Sequence, residues 1–288
     1  MSVSSAKEPI IIREPAEMQK QMTALRHAGK SICVAPTMGA LHAGHRRLLT
    51  EGRPLADVLV ATIFVNPTQF APHEDLDRYP RTFDADMQMC IEEGVDYIFF
   101  PMPDSMYPEG FSTYVNVEGL SAELCGRSRP IFFRGVATVC TKLFLITQAT
   151  VAVFGWKDAQ QQLIIRRMVR DLNIPIQIVG VETVREADGL AMSSRNAYLS
   201  PQERAEAVVL SQALQEARKK VEGGATDAAE LRQAIIDKIE TESNGRIDYV
   251  QVVSISDVQP VDKIEKGNAL IALAVWFGET RLIDNVRV

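Results

Sequence analysis

Apolar strand-like runs alternate with helical segments through the first two thirds of the chain, and this alternation limits the possible folds more than any other feature. Residues 57–65 are β-branched and almost entirely apolar, as expected of a strand buried on both faces of a parallel sheet. Strands that alternate with helices predict a doubly wound sheet, whose ligands bind beyond the carboxyl ends of the strands. Further strands are predicted at 31–36, 97–100, 151–154 and 176–179, and helices at 15–28, from about 45, and at 84–93, 137–148 and 158–170.

The pattern changes near Val184. Two long helices, at 201–222 and 226–242, precede strand-like runs at 247–254, 269–277 and 281–288. Helices followed by strands without alternation indicate a separate α+β domain. The predicted fold class is therefore α/β, a Rossmann-like doubly wound parallel sheet (residues 1–183) with a second, smaller α+β domain (residues 184–288).

Charge and cysteine content restrict the partners and the compartment. Lys and Arg number 31 against 37 Asp and Glu, a net charge of −6, which argues against a nucleic-acid partner. The four cysteines have no C-x-x-C spacing and are expected to be free thiols in a reducing cytoplasm. The longest apolar run, residues 58–65, is too short to span a membrane, and the first thirty residues are not expected to form a signal peptide, because they carry charges and no uninterrupted apolar segment.

A glycine loop, residues 36–45, connects the first buried strand to a helix. Beside a glycine, backbone N–H groups can approach a phosphate, and a helix N-terminus offers it a partial positive charge. His42 and His45 are three residues apart and can donate to the same phosphate chain. A loop whose histidines merely cap the helix is the alternative, and a zinc site would need a third ligand.

This loop, Met38-Gly-x-Leu-His-x-Gly-His45, resembles the H-x-G-H motif of nucleotidyltransferases related to class I aminoacyl-tRNA synthetases. Within that group, further stretches resemble the pantothenate synthetase (pantoate–β-alanine ligase) family in order and spacing over nearly the whole chain. They are Ile63-Phe-Val-Asn-Pro-Thr-Gln-Phe70, Tyr79-Pro-Arg-Thr82, Ser128-Arg-Pro130, Phe133-Arg-Gly-Val136, Lys157-Asp158 with Gln160-Gln161, Asp188-Gly-Leu-Ala-Met-Ser-Ser-Arg-Asn196 and Arg281-Leu-Ile-Asp-Asn285.

The resemblance implies a ligase that works in two steps. The carboxylate of pantoate attacks the α-phosphate of ATP, giving pantoyl-adenylate and pyrophosphate, and the amine of β-alanine then attacks the acyl carbon, giving pantothenate and AMP. It also implies an ATP- and pantoate-binding domain over residues 1–183, a C-terminal lid over 184–288, a homodimer, and Mg²⁺ that accompanies ATP. The protein ligands of that Mg²⁺ are not assigned.

The residue types suit this chemistry, because fixed N–H and cationic donors stabilise charge that builds on a triphosphate. The resemblance makes His45 the proton donor and assigns pantoate recognition to Gln69 and Gln161, with Asn66 in support and Gln69 also toward β-alanine. The implied catalytic residues are His42, His45, Lys157, Ser193, Ser194 and Arg195. The implied ATP-binding residues are Met38, Gly39, Ala40, Leu41, His42, Ala43, Gly44, His45, Gly155, Trp156, Lys157, Asp158, Val184, Met192, Ser193, Ser194 and Arg195.

Ordinary structural explanations compete with some of these assignments. Lys157 and Asp158 also suit the start of a helix, and residues 192–195 also suit a polar loop between domains. Asp84 and Asp86 are candidate Mg²⁺ ligands, but a solvated helix face with acids near its N-terminus is the favoured interpretation.

Three motif positions depart from the family pattern. Cys125 and Trp156 stand where the family has glutamate, and Phe132 stands where it has histidine. Because the ATP motifs are intact, any change is expected in the acid or amine pocket. The alternatives are a paralogous ligase with another hydroxy acid or amine, an enzyme that stops at nucleotide transfer, and a nucleotide-binding homologue with impaired turnover.

Overall fold

The computed structural model describes residues 7–72 and 74–288, which divide into two compact units. The first takes in the described residues up to 117 together with 131–156 and 164–182, and the second takes in 118–130, 157–163 and 183–288. The second unit thus includes two segments from the N-terminal part of the chain. The domain boundary at residue 183 stays a prediction. Residues 1–6 of the predicted first domain lie outside the described part of the chain.

A six-stranded parallel sheet forms the centre of the first unit and confirms the predicted Rossmann-like α/β fold. The strand order is β1-β4-β3-β2-β5-β6, so the winding reverses between β2 and β5, where such sheets bind ligands. The edge strand β1 was not predicted, because its apolar run of three isoleucines, between Pro9 and Arg13, is shorter than the about four to eight residues by which a strand is recognised. The strands are β1 Ile10–Ile12, β2 Ile32–Thr37, β3 Val58–Ile63, β4 Tyr97–Phe99, β5 Val151–Gly155 and β6 Gln177–Val181.

Helices connect these strands, and their inward faces bury side chains such as Leu49 against the apolar sheet. The helix Phe132–Thr147 begins five residues before its predicted start. Gly135 lies inside the helix, where a Cβ would overlap the carbonyl oxygen of Thr68, so the close approach of two backbones requires glycine. The helices are α1 Pro15–His27, α2 Ala43–Gly52, α3 Phe83–Glu92, α4 Pro103–Met106, α5 Cys125–Ser128, α6 Phe132–Thr147 and α7 Ala159–Asp171.

The second unit contains the predicted smaller α+β arrangement, with a three-stranded antiparallel sheet in the order β7-β8-β9. Its core includes Leu214, Ile239 and Leu273, none of which is exposed. The helix predicted over 201–222 is interrupted where the N–H of Leu210 donates to Ala207 O, one residue closer than in an α-helix. The elements are α8 Pro201–Glu206, α9 Val209–Glu222, α10 Ala228–Glu242, β7 Arg246–Ser254, β8 Ala269–Phe277 and β9 Thr280–Arg287. Within the described residues, no helix is both long enough and apolar enough to cross a membrane.

Candidate active site

The glycine loop that carries His42 and His45, here called the histidine loop, begins at the carboxyl end of β2 and runs directly into α2. His42 caps the helix, because its Nδ1 accepts the N–H of Gly44 at 3.1 Å. The Nδ1 of His45 accepts the N–H of His42 at 3.3 Å, and the two ring centroids are 4.2 Å apart. The structure therefore brings both predicted histidines together at the first turn of α2, which begins two residues earlier than the sequence suggested.

These two hydrogen bonds define the tautomers of the neutral imidazoles. A neutral ring that accepts through Nδ1 carries its proton on Nε2. Both His42 and His45 accordingly carry their ring N–H on Nε2. Over residues 7–72 and 74–288, no group of three or more His, Cys, Asp or Glu is arranged to hold a metal ion.

A buried carboxylate from α3 holds the preceding part of the loop. Asp86 is 1% exposed, and its two oxygens accept the N–H groups of Ala40 at 3.0 Å and Leu41 at 2.7 Å. A Cβ on Gly39, whose φ is +86°, would lie 3.1 Å from Asp86 Oδ2, so glycine is needed where the carboxylate approaches. The interpretation of Asp86 as part of a solvated helix face is wrong, because it lies on the face of α3 toward the loop; Asp84 is exposed.

The backbone N–H groups of the loop are largely engaged within the protein. We expected them to form a cradle for phosphate, but the Asp86 carboxylate, the two imidazoles and the Thr37 hydroxyl already accept five of them. These five N–H groups therefore do not form the open cradle that the sequence predicted. The engaged N–H groups are those of Gly39, Ala40, Leu41, His42 and Gly44.

A buried amide network follows β3 and includes two predicted substrate residues. Asn66 is 1% exposed, and its Nδ2 donates to Gln69 Oε1 at 2.9 Å and to the carbonyl of Gly135 at 3.2 Å. Its Oδ1 accepts the N–H of Thr68 at 3.3 Å, the Thr68 hydroxyl at 2.9 Å and the Tyr107 hydroxyl at 2.7 Å. The Nε2 of Gln69 lies 3.2 Å from the sulfur of Met38, so this network adjoins the histidine loop.

The segment after β5 places Gly155 at the strand end and Trp156–Asp158 in a 3₁₀ turn. Lys157 Nζ lies 3.8 Å from Asp158 Oδ1, and its side chain is 21% exposed. Gln161 is half-buried at the start of α7. Its neighbour Gln160 is buried and bonds to the backbone of Leu120, Glu123 and Cys125, which marks Gln160 as structural.

The segment from Val184 to Met192 folds back on itself in the second unit, with the Met192 N–H donating to Val184 O at 2.9 Å. Ser193 follows as the cap of the 3₁₀ turn Ser194–Tyr198, because its Oγ accepts the Arg195 N–H at 3.3 Å. All four residues from 192 to 195 are half-buried. This segment therefore has defined internal hydrogen bonds.

Two residues of β9 connect these segments within the second unit. Asp284 is buried and forms a two-pronged ion pair with Arg185, at 2.6 and 3.0 Å, while Asn285 Nδ2 donates to Lys157 O at 2.9 Å. The segments that contain Val184 and Lys157 thus form an ion pair and a hydrogen bond with two adjacent residues of β9. Sequence reasoning noted the motif Arg281-Leu-Ile-Asp-Asn285 but gave these two residues no role.

The three departures from the family pattern have identifiable neighbours. Cys125 Sγ lies 3.2 Å from the Tyr249 hydroxyl and 3.6 Å from a guanidinium nitrogen of Arg281, whose charge is paired with Asp248 at 2.7 Å. Separately, Phe132 opens α6 and packs edge-on against Phe133, with ring centroids 4.8 Å apart. The ring of Trp156 faces the guanidinium of Arg166 at 5.8 Å, an attractive cation–π distance.

Comparison with known proteins identifies the relatives of this chain. A sequence model described as "Pantoate-beta-alanine ligase" matches residues 10–287. A pantothenate synthetase of Acetivibrio thermocellus is 51% identical over 278 residues, covering 96% of this chain and 99% of that protein. The crystal structure of pantothenate synthetase from Thermus thermophilus has a TM-score of 0.91 at 43% identity, covering 96% of this chain and 99% of that one. The pantoate-β-alanine ligase of Francisella tularensis, in complex with β,γ-ATP and β-alanine, has a TM-score of 0.79 at 30% identity and 97% coverage of both chains.

Proposed function

The chain belongs to the pantoate-β-alanine ligase family, and from that premise we propose how its residues divide the work of the reaction. The protein is a ligase that uses ATP to condense pantoate with β-alanine into pantothenate. We propose that the condensation runs through a pantoyl-adenylate. The observation that carries the proposal is the pair of imidazoles at the first turn of α2, each of which accepts a backbone N–H through Nδ1, which assigns its own N–H to Nε2.

In the first step, a carboxylate oxygen of pantoate bonds to the α-phosphorus of ATP, and the bond from that phosphorus to the leaving pyrophosphate breaks. Negative charge increases on the departing oxygens, so N–H donors placed there lower the barrier. His42 and His45 supply such hydrogen-bond donors, and the family resemblance assigns the role of proton donor to His45. Lys157, Ser193, Ser194 and Arg195 add cationic and hydroxyl donors, an assignment that rests on the family resemblance.

In the second step, the amine nitrogen of β-alanine bonds to the acyl carbon, and the bond from that carbon to the AMP oxygen breaks. The neutral amine gives up one proton to solvent and keeps the other as the amide N–H, and AMP leaves as a stable phosphate. Gln69, Gln161 and Asn66 position the acid, with Gln69 also toward the amine. The remaining ATP contacts assigned by resemblance are Met38–His45, Gly155–Asp158, Val184 and Met192.

We propose that Mg²⁺ enters with ATP. Magnesium in phosphoryl-transfer sites is usually held by substrate phosphates together with one or two carboxylates. The ion neutralises negative charge on the phosphates. The lack of a three-ligand cluster among the described residues is compatible with that arrangement. A homodimer and a cytoplasmic location stay predictions, from the family resemblance and from the cysteine pattern respectively.

The comparisons do not favour the alternatives raised by Cys125, Phe132 and Trp156. Half of the aligned residues are identical to a pantothenate synthetase over 96% of the chain. We therefore treat the three positions as variation that leaves the substrates unchanged.

Two assays test this proposal. Pantoate-dependent exchange of labelled pyrophosphate into ATP reports the first step, and β-alanine-dependent release of AMP reports the second. The proposal predicts both. Exchange without a response to β-alanine would point to a different amine, and no exchange with pantoate would contradict the assignment.

A further inference from the structure

The amide network around Asn66 has a polarity that backbone groups determine. The N–H of Thr68 can only donate and the carbonyl of Gly135 can only accept, so the atom of Asn66 facing Thr68 is Oδ1 and the atom facing Gly135 is Nδ2. The Gln69 atom that accepts from Nδ2 must then be Oε1. The other end of the Gln69 amide, toward Met38, consequently bears the N–H donors.

Tyr107 holds this network from outside the turn. Thr68 lies in the same 3₁₀ turn as Gln69, Pro67–Gln69. Tyr107 follows α4, and its hydroxyl makes the shortest of the contacts to Asn66 Oδ1, at 2.7 Å. Since Oδ1 has no hydrogen, the tyrosine must be the donor. Burial raises the pKa of Tyr107 to about 12, so the hydroxyl keeps its proton at any ordinary assay pH.

We propose that Tyr107 is a positioning residue for recognition of the acid substrate, acting through Asn66 to keep the N–H donors of Gln69 directed at an acceptor oxygen of that acid. The inference rests on the proposed function and adds to it the direction of the hydrogen bond between Gln69 and the substrate. An amide that is free to turn offers a donor or an acceptor, whereas the amide of Gln69 is held with its oxygen on Asn66. The matching group on the substrate is a carboxylate or hydroxyl oxygen.

Tyr107→Phe tests the role, because it removes one hydroxyl and keeps the ring. The expected result is a KM for pantoate about five- to tenfold higher, as for the loss of one buried hydrogen bond, with the KM for ATP and kcat changed less than about twofold. Tyr114→Phe is the matched control, since Tyr114 is 43% exposed and packs against Phe111 as Tyr107 does. An equal effect in both variants, or none in Tyr107→Phe, would overturn the inference.

A double-mutant cycle separates positioning from general disturbance. In a Gln69→Met background the donors are already gone, so adding Tyr107→Phe should raise the KM for pantoate less than about twofold. An undiminished effect in that background would show that Tyr107 does not act through Gln69.

A measurement that does not depend on turnover distinguishes a failure of the proposed function from a failure of the positioning role of Tyr107. By nuclear magnetic resonance, hydrogen exchange of the Asn66 side-chain amide should be about tenfold faster, or more, in Tyr107→Phe than in the wild type or in Tyr114→Phe. An inactive wild-type protein would contradict the proposed function. An unchanged exchange rate would overturn the positioning role, whether or not the protein is active.

Discussion

At the scale of single residues, Asp86 connects the first turn of α3 to the histidine loop. Both of its oxygens are used, one on the Ala40 N–H and one on the Leu41 N–H. A carboxylate is suited to this role because it has two acceptors and no donor. The loop it holds leads straight to His42 and His45, so Asp86 should influence the geometry of both imidazoles.

Asp86→Asn is expected to lower kcat by about 10- to 100-fold, because one N–H of the loop would then face the amide NH₂ and displace the histidines. Steady-state kinetics with saturating substrates measure the change. Asp84→Asn is the control on the same helix turn, since Asp84 is exposed. Equal activity of Asp86→Asn and the wild type would show that the loop does not depend on this carboxylate.

The sequence predicted some of these residues and missed others for a physical reason. His42 and His45 belong to a local motif, so spacing along the chain was enough to find them. Asp86 and Tyr107 act on partners 45 and 41 positions away, and no periodicity along the chain encodes such a contact. Asp284 belongs to a local motif, but nothing in that motif indicates its partner Arg185, which is 99 positions away in the sequence.

At the scale of secondary-structure elements, the packing of α6 on the Pro67–Gln69 turn sets the position of Gln69. Gly135→Ala should lower the free energy of unfolding by about 1–3 kcal/mol, because a Cβ there would overlap backbone atoms of Thr68. Helix propensity favours alanine by about 1 kcal/mol, and the overlap outweighs it since the backbone cannot move aside as a flexible side chain can. Denaturant titration measures the change.

Gly223→Ala serves as the comparison for that variant. Its nearest neighbours would lie at an ordinary 3.4 Å, and its φ of −79° suits any residue. If Gly135→Ala is as stable as Gly223→Ala, the close contact between α6 and the turn does not limit the fold.

A second prediction at this scale concerns the Arg185–Asp284 ion pair, which connects the Val184–Met192 segment to β9. Asp284→Asn should cost about 1–3 kcal/mol of unfolding free energy, since a half-buried guanidinium would lose its charge partner. Thermal unfolding reports the loss, and Asp262→Asn, at an exposed position of the same unit, should be neutral. A neutral Asp284→Asn would mean that Asp284 contributes no more than a surface acid.

The elements were easier to predict than their ends. Strands β2, β3 and β5 were recognised because burial on both faces demands continuous apolar runs. The start of α6 was missed because a glycine weakens a helix in isolation, and only the nearby Thr68 backbone explains its presence. The start of α2 was missed because His42, an uncommon cap, accepts the helix N–H through its imidazole.

At the scale of the whole molecule, the strand order explains why the histidine loop and the Asn66 network, which are far apart in sequence, are neighbours in space. The carboxyl ends of β2 and β3 lie side by side in the first unit, and they carry the histidine loop and the Asn66 network. The alternation of strands and helices predicted a doubly wound sheet with ligands beyond the carboxyl ends of its strands, but it did not predict which strands are neighbours. The assignment of segments 118–130 and 157–163 to the second unit was not predictable, because it depends on contacts such as those of Gln160.

The most direct test of the pantoyl-adenylate is to follow oxygen from pantoate labelled with ¹⁸O in its carboxylate. In the proposed reaction a carboxylate oxygen bonds to the α-phosphorus and leaves with it when the amine displaces AMP. Mass spectrometry should therefore find one ¹⁸O in the AMP formed per turnover and none in pyrophosphate. Label in inorganic phosphate with release of ADP, or no label in AMP, would contradict an acyl-adenylate mechanism.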